Sequence, residues 1–214
     1  MSLDSAVADV IVVDDDPSIL KAFEKQIALM GHSVVTFADP QGALIHLRSK
    51  GADCLVVDLN MPGLSGLDLQ AEIETLDPPV PTVFISGAAD VQSSVAAMRG
   101  GACHFLEKPV EFEDLKAAID EATRLARNVA SAARDVQDAR SRYDELTPRQ
   151  QSVFRELLKG APNKVIAIRL GIGERTVKAH RLAVLERLEA HSIADVIAIG
   201  VKIGLSPGSD STDR

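Results

Sequence analysis

Five short apolar runs punctuate the first 110 residues, and a stretch of helical periodicity follows each one. The runs are Val10–Val13, Ser33–Phe37, Cys54–Val57, Val80–Ile85 and Cys103–Leu106. The amphipathic stretches lie near 17–30, 40–50, 66–76 and 90–99, with another from about residue 111. Apolar runs of this length, rich in Val, Ile and Phe, read as buried strands. A helix between successive strands carries the chain back across the sheet, so neighbouring strands run parallel. The expected fold is therefore α/β: a doubly wound, five-stranded parallel sheet with helices on both faces. Any site in such a sheet falls at the strands' C-terminal ends, whatever its chemistry.

The rest of the chain reads differently. From Glu113 to Tyr143 there is neither proline nor glycine. Ala118, Ala122, Leu125, Val129, Ala132, Val136, Ala139 and Tyr143 recur at alternating intervals of four and three, which is a heptad seam. Its alanines bury little area, so the helix either pairs with a second copy or rests alone on its own domain. After Leu146 come four short helices. Thr147-Pro148-Arg149-Gln150 opens the first with a threonine N-cap, proline at N1 and a capping box. Gly160 ends it, Asn163 is expected to cap Lys164–Leu170, a Gly171-Ile172-Gly173 turn leads into a helix from Glu174, and Ser192 caps the fourth. The expected boundaries are residues 1–125 for the α/β domain, 126–144 for a helical linker and 145–206 for the all-α domain. Residues 207–214 are expected to be disordered.

Charge separates these parts. Residues 1–126 carry 20 acids and 8 bases, a net of −12, whereas residues 145–207 carry 6 acids and 10 bases, a net of +4. An acidic half joined to a basic half suits two separate jobs. No apolar run approaches the roughly 18 residues of a membrane helix, and MSLDSAVADV shows no secretory pattern. Cys54 and Cys103 sit in strand-like runs, as buried reduced thiols would. The expectation is a cytoplasmic protein without membrane contact. The scarcity of aromatic residues and the absence of tryptophan argue against stacking on single-stranded nucleic acid.

Chemistry-bearing residues follow the strands in order. Val12-Val13 leads into Asp14-Asp15-Asp16, Val56-Val57 into Asp58, Phe84-Ile85 into Ser86-Gly87, and Phe105-Leu106 into Lys108-Pro109 one residue later. A parallel sheet gathers these side chains at one edge. Crowded carboxylates repel unless something positive sits among them, and a hard divalent cation with the Lys108 ammonium would supply that charge. An acidic turn alone is more often a helix cap or solvated loop; four such features in this order carry far more weight.

With VVDDD, LVVDLNMPGLSGLDL, VFISGAA and FLEKPV, the chain resembles the receiver domain of two-component response regulators over residues 8–125. The resemblance implies a flavodoxin-like (CheY-like) fold in which Asp58 accepts a phosphoryl group from a phosphohistidine of a sensor histidine kinase. It implies Mg²⁺ ligated by Asp15, Asp58 and the backbone carbonyl of Asn60, with Asp14 holding a metal-bound water. Ser86 and Lys108 would bind phosphoryl oxygens, Lys108–Pro109 would be cis, and Phe105 would turn inward as Ser86 moves. The surface near residues 90–125 would then support a homodimer. Apart from slow self-dephosphorylation, no enzymatic turnover is expected.

NKVIAIRLGIGERTVKAHRLAVLERL reads as a scaffold helix, a glycine turn and a second helix whose early turns carry Arg175, Thr176, Lys178, His180 and Arg181. A basic helix N-terminus of this kind fits the major groove, although a four-helix dimerisation module with a solvated basic face has the same spacing. Residues 145–205 resemble the NarL/FixJ/LuxR-type helix-turn-helix output domain. That resemblance implies binding to double-stranded DNA, with Lys164, Thr176, Lys178 and Arg181 as phosphate or base contacts and Ala179 and Leu182 on the DNA-facing side. Three positions depart from its pattern. Gln150 stands where glutamate is usual, Gly173 replaces a serine N-cap, and Leu182 is apolar where relatives are often polar, so a thymine methyl is a possible contact.

Taken together, a phosphorylation-controlled transcription regulator is expected. One alternative is a receiver-controlled interaction switch whose C-terminal module dimerises without DNA. Another is an aspartate-dependent phosphatase built on Asp14 and Asp16, which explains neither Ser86-Gly87 nor the basic second domain.

Overall fold

The computed structural model describes residues 7–87 and 91–205. Tail residues 207–214 lie outside that range. Two compact units divide at Ala130 and Ser131.

In the first unit, β1 (Asp9–Val13), α1 (Pro17–Leu29), β2 (Ser33–Phe37), α2 (Pro40–Lys50), β3 (Cys54–Asp58), α3 (Gly66–Ile73), β4 (Thr82–Ser86), α4 (Val91–Arg99), β5 (His104–Glu107) and the start of α5 (Phe112–Asp144) alternate along the chain. The five strands lie in the order β2-β1-β3-β4-β5, all parallel. The order reverses between β1 and β3, the switch point at which a doubly wound sheet opens a crevice.

Period-two alternation splits each central strand between two cores. Ile11, Val13, Leu55, Val57 and Phe84 face a layer closed by Ala43 and Leu47 of α2, Leu69 and Ile73 of α3, and Ala97 of α4. Val10, Val12, Cys54, Val56, Val83 and Ile85 face Leu20, Phe23 and Ile27 of α1 and Leu115, Ala118, Ile119 and Ala122 of α5. Near-continuous apolar runs are what strands covered on both faces require. Both cysteines are free thiols, Cys54 buried and Cys103 half-buried. Strand β4 starts at Thr82, two residues later than the apolar run suggests, after the Pro78-Pro79-Val80-Pro81 segment.

Helix α5 is continuous from Phe112 to Asp144. Ala118 and Ala122 of its seam are buried in the first unit, and Tyr143 is buried in the second. Leu125, Val129 and Val136 between them are 36%, 45% and 40% exposed.

The second unit contains α6 (Pro148–Leu158), α7 (Asn163–Leu170), α8 (Glu174–Arg187) and α9 (Ile193–Lys202) around Phe154, Leu157, Ile166, Val177, Val184 and Val196. Tyr143 packs its ring 5.1 Å from that of Phe154. The capping boxes at Thr147–Gln150 and Ser192–Asp195 are both formed. Asn163, expected as a cap, is instead the first helical residue. Pro162 holds the N-cap position, with no side-chain cap bond, and its carbonyl receives the N–H groups of Val165 and Ile166. Its fixed φ already suits the chain's approach to the helix, which leaves the Asn163 amide free for another partner. Gly171 closes α7 in the left-handed conformation (φ 63°, ψ 40°) that glycine adopts without strain.

Candidate functional site

The register of the sheet brings the acidic residues to one edge. Val13 pairs with Val57 and Asp58 with Ile85, so Asp14, Asp58 and Ser86 succeed one another across three adjacent strands. The Lys108 N–H donates to the Ser86 carbonyl at 2.8 Å, which continues the line to β5. The Lys108–Pro109 bond is cis.

Asp14 and Asp58 are nearly buried, at 2% and 7% exposure, whereas Asp15 is exposed. One oxygen from each of these three carboxylates lies within 4.8 Å of the others. The Lys108 ammonium stands among them, 2.7 Å from Asp14 Oδ2 and 3.2 Å from Asp58 Oδ2. Burial pushes the Asp58 carboxyl above its ordinary range and the Asp14 charge adds to this, while Lys108 pulls it down. Burial would lower the Lys108 ammonium, but its bond to Asp14 and the charges of Asp14 and Asp58 outweigh that and raise it. The site is therefore a set of hard oxygen donors in which one cation incompletely offsets the negative charge.

Several neighbours shape this crevice. Ser86 is fully buried and accepts a hydrogen bond from Asn60 Nδ2 at 3.2 Å. Phe105 is half-buried, pairs with Phe84 in the sheet and packs on the core layer of α2 and α3. Asp16 caps α1 through the Ser18 N–H, and that bond with the Ser18 hydroxyl holds its carboxyl below the ordinary range. The third aspartate of the acidic triplet is therefore a helix cap. An apolar groove of about 470 Å³, bounded by Ile19, Phe23, Lys108, Pro109 and Val110, opens beside the crevice.

Gly66, which sequence reasoning did not single out, sits under Asp58. A Cβ there would lie 2.7 Å from the Asp58 carbonyl oxygen and 3.0 Å from Phe84. The one available signal was its place at the start of α3, just after the Ser65 cap. Close backbone approach is the reason for glycine here.

In the second unit, α7, the Gly171-Ile172-Gly173 turn and α8 form two helices joined by a tight turn. Lys164, Arg175, Thr176, Lys178, Ala179 and Leu182 are exposed. His180 and Arg181 are half-buried, and Arg181 Nη1 donates to Asn163 Oδ1 at 3.3 Å. The structure thus draws Arg181 toward α7 instead of leaving it wholly on the outer face. Gly173 is the N-cap of α8 and offers no side-chain bond to the first-turn N–H groups, and a helix start without a side-chain cap is where backbone donors and the helix dipole favour an anion.

Residues 10–120 match the family described as response regulator receiver domain, and residues 144–199 match bacterial regulatory proteins, luxR family. The chain is 37% identical to nodulation protein W of Bradyrhizobium diazoefficiens over 94% of its own length and 89% of that protein. It is 32% identical to the transcriptional regulatory protein FixJ of Rhizobium meliloti, covering 92% of this chain and 96% of that one. Among solved structures it is similar to the response regulator StyR, with a TM-score of 0.79 and 35% identity over 92% of this chain and all of that one. It is also similar to full-length FixJ from B. japonicum, with a TM-score of 0.57 and 32% identity over 92% and 97%.

Proposed function

This chain belongs to the response regulators that join a receiver domain to a LuxR-type regulatory domain, and from that membership we propose that phosphorylation of Asp58 by a sensor histidine kinase controls DNA binding through dimerisation. The observation that carries the reading is the Lys108 ammonium within 2.7 Å and 3.2 Å of two nearly buried carboxylates at the sheet's switch point.

The donor set fits a magnesium ion: all ligand atoms are carboxylate or carbonyl oxygens, and one lysine leaves part of the negative charge unmatched. Asp14, Asp15, Asp58 and the Asn60 carbonyl would hold it. When bound, Mg²⁺ neutralises the charge on the transferring phosphoryl oxygens.

In the transfer, an Asp58 carboxylate oxygen attacks phosphorus on the kinase phosphohistidine. The O–P bond forms as the P–N bond breaks, and the bond's electron pair stays with the imidazole nitrogen. Lys108 pairs with the new phosphoryl oxygens, loosening its hold on Asp14. Ser86 turns from Asn60 to donate its hydroxyl to another of those oxygens. Phe105, at the edge of the core beside Phe84, follows into the space that Ser86 vacates. The surface of α4, β5 and α5 changes with it and pairs with a second copy. The groove of Ile19, Phe23 and Val110 gives the kinase an apolar seat beside the acceptor. The protein consumes one phosphoryl group per cycle and is not a turnover enzyme.

The test is intact-mass analysis after incubation with acetyl phosphate and Mg²⁺. The wild-type chain gains one phosphoryl group and Asp58→Asn gains none. Equal labelling of the variant, or no labelling of a folded wild-type chain, overturns the proposal.

A further inference from the structure

Helix α8 presents an outer face with an apolar centre, flanked in its first turns by the exposed cations Arg175 and Lys178 together with the exposed Glu174. Val177 and Val184, seven residues apart, are both fully buried and define its inward side. At 3.6 residues per turn, Arg175 and Leu182 fall roughly 160° from them. Ala179 lies beside these two, and Lys178 lies on the flank. Leu182 is 67% exposed. Glu186, one turn beyond Leu182, is also exposed and makes the end of this face acidic.

An isolated exposed leucine is ordinary on a protein surface. Its setting here restricts what can cover it. One leucine and one alanine offer far less area than the ~1,200 Å² of a stable protein interface, and the Arg175 and Lys178 charges beside them favour a polyanion. An α-helix fits the major groove with its N-terminal turns inward. Ala179 and Leu182 carry no donor or acceptor, so neither can read the hydrogen-bonding pattern of a base pair. Of the groups the four bases present in that groove, the apolar one is the 5-methyl of thymine.

We propose that Leu182, with Ala179 beside it, fixes sequence preference by packing on thymine methyl groups, while Arg175 and Lys178 hold the backbone or purine edges. The proposal rests on the reading of the second unit as a DNA-binding domain. It adds that each half-site contains a thymine read by its methyl group alone.

The experiment selects duplexes from a random pool with the full-length chain after treatment with acetyl phosphate and Mg²⁺. Each thymine of the selected site is then replaced by uracil, which removes only the methyl group. At one or two thymines per half-site the replacement should weaken binding about fourfold, the effect of losing one buried methyl. Leu182→Ala should bind the thymine and uracil duplexes equally, and Leu182→Lys should shift the selected pair toward G·C. If every uracil duplex binds within twofold of its thymine parent while Lys178→Ala still weakens binding to all duplexes, the methyl contact is overturned and DNA binding stands. If Leu182→Ala leaves DNA affinity unchanged but lowers the mass seen by light scattering, the face belongs to a second copy and the proposal fails. If no duplex binds even at low salt, this proposal and the DNA-binding reading fall together.

Discussion

The Lys108 ammonium lies 2.7 Å from the Asp14 carboxylate, an ion pair between residues 94 positions apart that ties the end of β5 to the end of β1. Asp14 is almost wholly buried and Lys108 largely so, so removing the cation leaves a poorly hydrated carboxylate without its charged partner. Breaking such a pair costs more than the intact pair contributes over an apolar substitute. Lys108→Met should therefore lower unfolding stability by about 2 kcal/mol in chemical denaturation at neutral pH. The folded-state ammonium titrates above its ordinary 10.5. Its stabilising effect is complete below that value and lost only as pH rises through the raised one, so the deficit should persist unchanged across the neutral range. Millimolar Mg²⁺ should recover part of it, because a ligand that binds only the folded state adds stability.

Asp58 presents the opposite sign. Burial and the Asp14 charge hold its carboxyl above the ordinary 3.8 despite Lys108. Between the ordinary and raised values the folded chain binds more protons than the unfolded one, so stability falls as pH rises through that window. Asp58→Asn removes the charge and should be more stable than wild type by about 1 kcal/mol at neutral pH without Mg²⁺. The gap should close on acidification below the ordinary carboxylate range and also narrow when Mg²⁺ is added. A variant less stable than wild type at neutral pH would show that Lys108 overcompensates the cluster.

Gly66→Ala tests the floor of the same site. The added Cβ would meet the Asp58 carbonyl oxygen at 2.7 Å, and that oxygen belongs to backbone in a central strand. Neither atom can swing aside as a flexible side chain would. The expected cost is about 2 kcal/mol or more from overpacking, with slower labelling of Asp58 by acetyl phosphate. Normal stability and labelling would mean that α3 shifts freely on β3.

These cases show what the sequence makes legible. Strand-end chemistry was readable because a parallel sheet aligns C-terminal ends whatever the side chains, so Asp14, Asp58, Ser86 and Lys108 could be grouped from order alone. Gly66 was not readable in that way, because its role depends on how closely α3 approaches β3, and that distance has no sequence periodicity. Asn163 failed for a local reason: its amide is a good cap by composition, but Pro162 already occupied the N-cap. The seam of α5 is correct as a period yet silent about partners, since Ala118, Ala122 and Tyr143 close on their own units while Leu125, Val129, Ala132 and Val136 are exposed and Ala139 is half-buried.

Glu156 is a buried acid that the sequence pattern did not distinguish. Burial would raise its carboxyl, but the Arg169 guanidinium at 2.6 Å and Lys159 at 3.3 Å hold it below the ordinary 4.5. A depressed carboxyl contributes stability above its unfolded value and loses it as pH falls through the folded one. Glu156→Gln should destabilise the second unit by roughly 1 kcal/mol near neutral pH, discounted because Arg169 is half exposed. Thermal melts below pH 4 should show the variant and wild type converging.

Arg181 and Lys178 are neighbours in sequence with different surroundings. Lys178 is exposed, whereas Arg181 is half-buried and bonded to Asn163 across the turn between α7 and α8. An exposed cation that neutralises one phosphate releases one counterion equivalent, so Lys178→Ala should reduce the slope of log affinity against log salt by about 0.9. Arg181→Ala should leave that slope nearly unchanged and instead cost about 1 kcal/mol of stability, the worth of a partly buried hydrogen bond to a charged group. Asn163→Ala separates the two roles. If Arg181 only braces the helix pair, this variant should match Arg181→Ala in stability and keep the wild-type salt slope. A fall in slope for Arg181→Ala as large as that for Lys178→Ala would show that the guanidinium leaves Asn163 for phosphate when DNA arrives.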